Sequence, residues 1–174
     1  MRKILIVVDM QNDFIDGALG TEEAVAIVPA VIDKIRSYPV ENIIATRDTH
    51  QEDYLDSQEG KYLPVKHCIK GTKGWQIKES VAAALGAAEV IDKPTFGSVS
   101  LAQKLVGMNQ EEPVEIEMVG LCTDICVVSN ALAIKAFLPE VKITVDEKCC
   151  AGVTQKSHEA AITTMKSCQI QVKQ

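Results

Sequence analysis

The stretch Glu117-Met118-Val119-Gly120-Leu121-Cys122-Thr123-Asp124-Ile125-Cys126 reads as a buried strand, a glycine break, a sharp turn and the start of a helix. A thiol in a first helical turn meets the positive end of the helix, which favours a thiolate. Free backbone N–H groups there can also hold an oxyanion. The position suits a small apolar core residue as well, so Cys126 counts as a nucleophile only if the chain supplies partners. Asp9 ends the apolar run Lys3–Val8 and can accept a thiol proton and return it to a leaving group. Turn capping is the other reading of Asp9, although Asp13 or Asp16 fills that role equally well. Lys93 follows Val90-Ile91-Asp92. Half-buried beside a thiol it would favour the thiolate by charge, whereas most lysines are solvated.

A second group has the chemistry of a cation site. Asp48-Thr49-His50 places two donors on the same side of an extended segment, and His67 follows after a stretch that contains Glu59. Two histidines with one or two carboxylates can hold Zn²⁺ or a similar ion and leave positions open for water or substrate. Independent turn caps and hydrogen bonds explain the same residues without a metal. Cys68 is adjacent to His67 and would point elsewhere in an extended chain. His158, the remaining histidine, reads as structural or exposed. Trp75 and Tyr62 flank the section and suit either a pocket roof or core packing.

These residues need elements to position them, and the chain alternates short β-branched runs with longer helical ones. Strands are expected at Lys3–Val8, Asn42–Thr46, Glu89–Ile91, Pro113–Gly120 and Val141–Val145, with a final edge strand at Gln169–Val172. Helices are expected at Thr21–Arg36, Ile77–Leu85, Ser98–Val106, Asp124–Phe137 and Thr154–Ser167, the first containing Pro29 as an imperfection. Arg47–Gly74 is a long irregular section, and loops of that length in compact domains are usually functional. The alternation implies an α/β fold: a three-layer α/β/α sandwich with a mostly parallel, about six-stranded sheet and Rossmann-type topology. In such sheets the ligand crevice lies beyond the carboxyl ends of the strands, where Asp9, Asp48, His50, Lys93 and Cys126 all fall.

Composition narrows the partners. A chain of 174 residues suits one domain, 1–174, and the net charge of −6 without a basic stripe argues against nucleic acid. No apolar run approaches membrane-spanning length, and the N-terminal run is too short and lacks the cleavage site of a signal peptide. The six cysteines contain no CxxC pair, so a reducing, cytoplasmic setting fits better than a disulfide framework. There is no phosphate-cradling GxGxxG and no GxSxG elbow, so no nucleotide cofactor is expected.

Taken in order, several segments resemble the isochorismatase-like cysteine hydrolases, and among them the nicotinamidase branch. They are Ile6–Phe14, Thr46–His50, Pro64–Thr72, Lys93–Gly97 and Gly120–Val127. The resemblance implies a catalytic triad of Asp9, Lys93 and Cys126, and a non-proline cis peptide between Leu121 and Cys122. It implies an oxyanion hole from the backbone N–H groups of Cys122 and Cys126. It also implies a divalent metal, zinc or else manganese or iron, on Asp48, His50 and His67, with Glu59 a fourth ligand in some relatives. Phe14 would pack on a substrate ring, with Leu63 and Leu121 in the same pocket.

The implied reaction is amide hydrolysis through a Cys126 thioester, converting nicotinamide to nicotinate and ammonia in NAD salvage. Relatives often form dimers or tetramers, so a homo-oligomer is expected. Leu63 and Lys66 depart from the branch pattern before His67, and the Glu59-to-His67 spacing is one residue long. Those departures leave open another small amide or an N-carbamoyl compound as the substrate. A non-catalytic thiol redox or metal-binding protein is the reading from a different class, although redox chemistry needs neither Asp9 nor Lys93.

Overall fold

A computed structural model describes all residues, Met1–Gln174. Six strands form one sheet: β1 (Arg2–Val8), β2 (Ile43–Asp48), β3 (Glu89–Lys93), β4 (Val114–Leu121), β5 (Ile143–Ala151) and β6 (Gln171–Lys173). Their spatial order is β3-β2-β1-β4-β5-β6, and every neighbouring pair is parallel. The helices are α1 (Asn12–Ile15), α2 (Glu22–Arg36), α3 (Gln58–Tyr62), α4 (Glu79–Leu85), α5 (Val99–Glu111), α6 (Val128–Phe137) and α7 (Gln155–Ser167).

Strand periodicity makes the three layers. Along β1, Ile4, Ile6 and Val8 pack with Leu101 and Leu105 of α5, Ala131 and Ile134 of α6, and Ile162 and Met165 of α7. The alternate residues Leu5 and Val7 pack with Ile27, Val31 and Ile35 of α2 and Val81 and Leu85 of α4. Successive strand side chains point to opposite faces, so an unbroken apolar run on β1 requires helices on both sides. The long helices begin where a side chain can take up free N–H groups. Thr21 accepts from Ala24 N (3.0 Å), Ser98 from Leu101 N (3.1 Å) and Thr154 from Ser157 N (3.1 Å). Pro29 sits inside α2 without ending it, because it lies on the exposed face where an unpaired carbonyl can meet water.

Several boundaries differ from the sequence reading. β5 runs on to Ala151 through Asp146-Glu147-Lys148, a polar interruption that hides the strand; a register shift opposite Met118 and Gly120 absorbs it. α5 continues past Gly107 to Glu111, since that glycine faces open space and costs the helix only its propensity. The helix expected from Asp124 opens instead as a π-helical turn, Thr123–Val127, with Val127 N–H donating to the Cys122 carbonyl (3.0 Å). Such turns recur at functional sites because they redirect a side chain without ending the helix.

The strand order reverses between β1 and β4, whose following helices lie on opposite faces. A crevice opens there beyond the strand ends. Gly120 makes that junction possible. It pairs with Val8, has φ of 118°, and a Cβ there would overlap the Val8 carbonyl oxygen. Any side chain would push β4 from β1 just before Asp9. We expect Gly120→Ala to lower stability by roughly 2 kcal/mol or more, read as a fall in the urea unfolding midpoint. An unchanged midpoint would contradict this close packing.

Candidate active site and metal centre

Three strand ends converge on the Lys93 ammonium. Asp48 and Lys93 are register partners on β2 and β3, and both side chains turn into the interior. Lys93 is 1% exposed, with Nζ 2.7 Å from Asp9 Oδ2, 3.2 Å from Asp48 Oδ1, 3.0 Å from the Thr95 carbonyl oxygen and 3.3 Å from Cys126 Sγ. Asp9 is fully buried and takes a left-handed φ of 47°, a conformation that aspartate tolerates better than most residues. Its Oδ1 accepts from Thr46 Oγ1 (2.7 Å), while Oδ2 has no hydrogen bond beyond its charge contact with Lys93. Thus the sequence-predicted residues Asp9, Lys93 and Cys126 form one cluster.

The electrostatics of that cluster suit proton transfer. Burial raises the Asp9 pKa, aided by the Asp48 charge and opposed by Lys93, so its carboxylate is a stronger base than a solvated one. Burial works against the Lys93 charge, but Asp9, Cys126 and Asp48 outweigh it and keep the ammonium protonated. The Cys126 thiol is pushed well up by burial and by Asp9, against the pull of Lys93. The helix end alone favours a resting thiolate. Burial beside two carboxylates instead favours a thiol that ionises only as a base takes its proton.

The turn before Cys126 contains a cis peptide at Leu121–Cys122, as the resemblance implied. The Cys122 N–H donates to no backbone acceptor, and Cys122 and Cys126 both line the adjoining cavity. A free donor beside a thiol is the element an oxyanion hole requires.

Asp48 joins this cluster to the second group. Its Oδ2 is 2.9 Å from His50 Nε2 and 3.8 Å from His67 Nε2. The donor atoms of Asp48, His50 and His67 all lie within 4.8 Å of one another. A parallel bridge between His50 and Ile69 brings the two histidine segments side by side, with His50 N–H donating to the Cys68 carbonyl (3.0 Å). His67 Nδ1 is 2.8 Å from the Val65 carbonyl, which can only accept, so Nδ1 donates there and Nε2 is the nitrogen turned toward the Asp48 and Glu59 carboxylates. His50 Nε2 is buried without an aligned hydrogen bond. Burial lowers the His50 pKa, but the Asp48 carboxylate 2.9 Å away outweighs that and raises it. Glu59, on α3 behind the Ser57 cap, has Oε1 3.6 Å from His50 Nε2 and 3.7 Å from His67 Nε2. Its position opposite both imidazoles offsets the long spacing noted in the sequence. Two imidazoles and two carboxylates are a donor set that fits a divalent metal of the zinc, manganese or iron type.

A cavity of about 490 Å³ opens over these groups. Phe14, Leu19, Leu63, Pro94, Phe96 and Ile125 supply much of its apolar wall. Phe14 stands 5.6 Å from the His67 ring, and Tyr62, at 86% exposed, lies on the rim. Leu121 corrects the expected pocket set. It is fully buried in the core and does not line the cavity, where Ile125 stands. Trp75 roofs nothing here; it stacks under Arg47 (3.6 Å) and donates to Thr49 Oγ1 (2.9 Å). Cys68 is buried with its N–H donated to Asp13 (2.7 Å) and is not among the grouped metal-type donors. His158 is buried and structural, with Nδ1 2.8 Å from Thr123 Oγ1.

Two supporting residues escaped the sequence reading. Thr46 orients Asp9, and a polar residue in an otherwise apolar strand was its signal. Gln11 brackets Asp48, accepting its N–H (2.7 Å) and donating to its carbonyl (2.8 Å); its place two residues after Asp9 was the clue.

An all-parallel α/β sheet with a cysteine, an aspartate and a buried lysine at its switch point defines a class of cysteine hydrolase. The isochorismatase domain model matches residues 3–173, and the chain belongs to that family. Its relatives include nicotinamidases, which are amidohydrolases acting on C–N bonds. A nicotinamidase/pyrazinamidase of Mycobacterium tuberculosis is 26% identical over 196 residues, covering 98% of this chain and 97% of its own. The crystal structure of a pyrazinamidase of Pyrococcus horikoshii in complex with zinc superposes with a TM-score of 0.80 at 27% identity, covering 100% of this chain and 99% of that one. An N-carbamoylsarcosine amidase from Thermoplasma acidophilum, at 23% identity, shares the fold with a TM-score of 0.74 over 100% of this chain and 96% of that one.

The donor geometry yields a direct test. Metal analysis of purified His67→Ala and Asp48→Ala should show retention weakened roughly tenfold or more, with Glu59→Gln affected less. Undiminished metal in His67→Ala and Asp48→Ala would refute the ligand set.

Proposed function

We propose that this protein is a metal-assisted cysteine amidase of the nicotinamidase type, forming nicotinate and ammonia from nicotinamide in NAD salvage. The observation that carries the reading is the Lys93 ammonium held between Asp9 and the Cys126 thiol, beneath a cavity walled by Phe14 and bordered by the Asp48-His50-His67 group.

In the first half-reaction Asp9 takes the Cys126 thiol proton, and Lys93 offsets the negative charge left on sulfur. The sulfur attacks the carboxamide carbon, and the carbonyl electron pair moves onto oxygen, where the Cys122 and Cys126 N–H groups can stabilise it. As the C–N bond breaks, Asp9 gives its proton to nitrogen and ammonia leaves. In the second half-reaction Asp9 accepts a proton from water as the water oxygen attacks the thioester carbon. The C–S bond then breaks, Asp9 returns the proton to sulfur, and the product departs as the carboxylic acid, which gives its remaining proton to water to become nicotinate. Asp48, His50, His67 and Glu59 would hold the metal; when bound, it supplies positive charge and open coordination positions beside the cavity.

The thiols support hydrolysis over redox chemistry. Cys122 is pushed up to about 12 by burial and nearby carboxylates, and Cys126 is raised as well. Exchange proceeds through thiolates, which both sites disfavour at rest. The fold shared with an N-carbamoylsarcosine amidase favours N-carbamoyl compounds as the second reading of the substrate.

Ammonia release from nicotinamide, pyrazinamide, N-carbamoyl amino acids and short aliphatic amides separates these readings. We expect turnover of the two aromatic amides, none in Cys126→Ala, and a loss on the order of 10²–10⁴-fold in Asp9→Asn. No release from any amide would sink the amidase reading, and release from the non-aromatic amides alone would sink the nicotinamidase one.

A further inference from the structure

One turn after Cys126, the Asn130 side chain is fully buried on α6. A buried carboxamide destabilises a core unless its polar atoms are partnered, and an aliphatic residue would fill the space more cheaply. Here the partners come from two different parts of the site. Asn130 Oδ1 accepts from Ser98 N (2.8 Å), while Nδ2 donates to the Phe96 carbonyl (3.1 Å) and to the Cys126 carbonyl (2.8 Å).

The segment thus held, Pro94–Ser98, links β3 to α5 and has no helix or strand of its own. It is chemically placed at both ends. The Thr95 carbonyl accepts from Lys93 Nζ (3.0 Å), and Pro94, Thr95 and Phe96 form one wall of the cavity. Gly97 runs so close to α6 that a Cβ would sit 3.1 Å from the Ser129 carbonyl oxygen, so the segment has little slack. One amide therefore references the lysine segment and the carbonyl of the reactive cysteine to the same point.

We infer that Asn130 is a positioning residue that sets the separation of Lys93 from Cys126 and holds Phe96 at the cavity wall. The inference rests on the reading of Cys126 as the nucleophile. Two substitutions dissect it. N130D keeps the shape and the acceptor for Ser98 but loses both donors and sets an oxygen against two carbonyls. N130T can still donate back to the Cys126 carbonyl one turn earlier, but its short side chain loses both bonds to the lysine segment.

Metal-loaded wild type, N130D and N130T would be compared by thermal unfolding, by kcat and KM for ammonia release from nicotinamide, and by the rate of Cys126 alkylation with iodoacetate, read by peptide mass spectrometry. A misplaced reacting group should cost kcat roughly tenfold to a hundredfold in both variants, with a smaller change in KM, and should shift the alkylation rate several-fold. A folded variant that keeps both kcat and the alkylation rate, whatever its melting temperature, would overturn the inference. Should N130D not fold, N130T decides by the same criteria. Should wild type hydrolyse no nicotinamide, the proposed function fails separately, and the alkylation rates alone judge Asn130.

Discussion

The site depends on keeping one ammonium, that of Lys93, out of water. A buried charge is tolerable only where opposite charge and hydrogen bonds replace its hydration. Lys93 finds two carboxylates, a carbonyl and a thiol within 3.3 Å. The dependence is mutual, because Asp9 and Asp48 would otherwise face each other inside the protein with nothing between them. Removing one partner of such a buried group typically costs about 3–5 kcal/mol, which makes the cluster a structural constraint as well as a chemical one. Sheet register supplies the placement: Asp48 and Lys93 are paired, and Asp9 emerges from the strand beside β2.

Asp48 carries that constraint into the second group of residues. One of its oxygens faces Lys93 and the other faces His50, so the cysteine cluster and the cation-type cluster share a carboxylate. Gln11 grips the Asp48 backbone at both its N–H and its carbonyl, which limits how far either cluster can shift alone. The outcome is a polar floor under an apolar wall, an arrangement that orients a small molecule with one reactive polar end and one flat apolar body.

Much of this was legible in the sequence because it follows from periodicity and topology. The β1 run, its stop at Asp9 and the rule that ligands gather at strand ends selected Asp9, Asp48, Lys93 and Cys126 without reference to side-chain contacts. What stayed hidden lacks a periodic signature. The five-residue helix bearing Glu59 is too short to show a 3.6-residue repeat, so a spacing argument made Glu59 look less suitable than its place opposite both histidines. The far half of β5 was obscured by Asp146-Glu147-Lys148. Leu121, which the resemblance implies in the pocket, is fully buried in the core beneath it.

The central claim is that amide hydrolysis passes through a covalent acyl group on Cys126, served by the buried Asp9–Lys93 pair. Rapid acid quenching during nicotinamide turnover, followed by peptide mass spectrometry, tests it most directly. The account expects a nicotinoyl adduct on the peptide bearing Cys126, localised to that sulfur and not to Cys122, and formed at a rate at least equal to steady-state turnover. Nicotinate formation with no adduct, with the adduct on Cys122, or with an adduct that forms more slowly than product would contradict it.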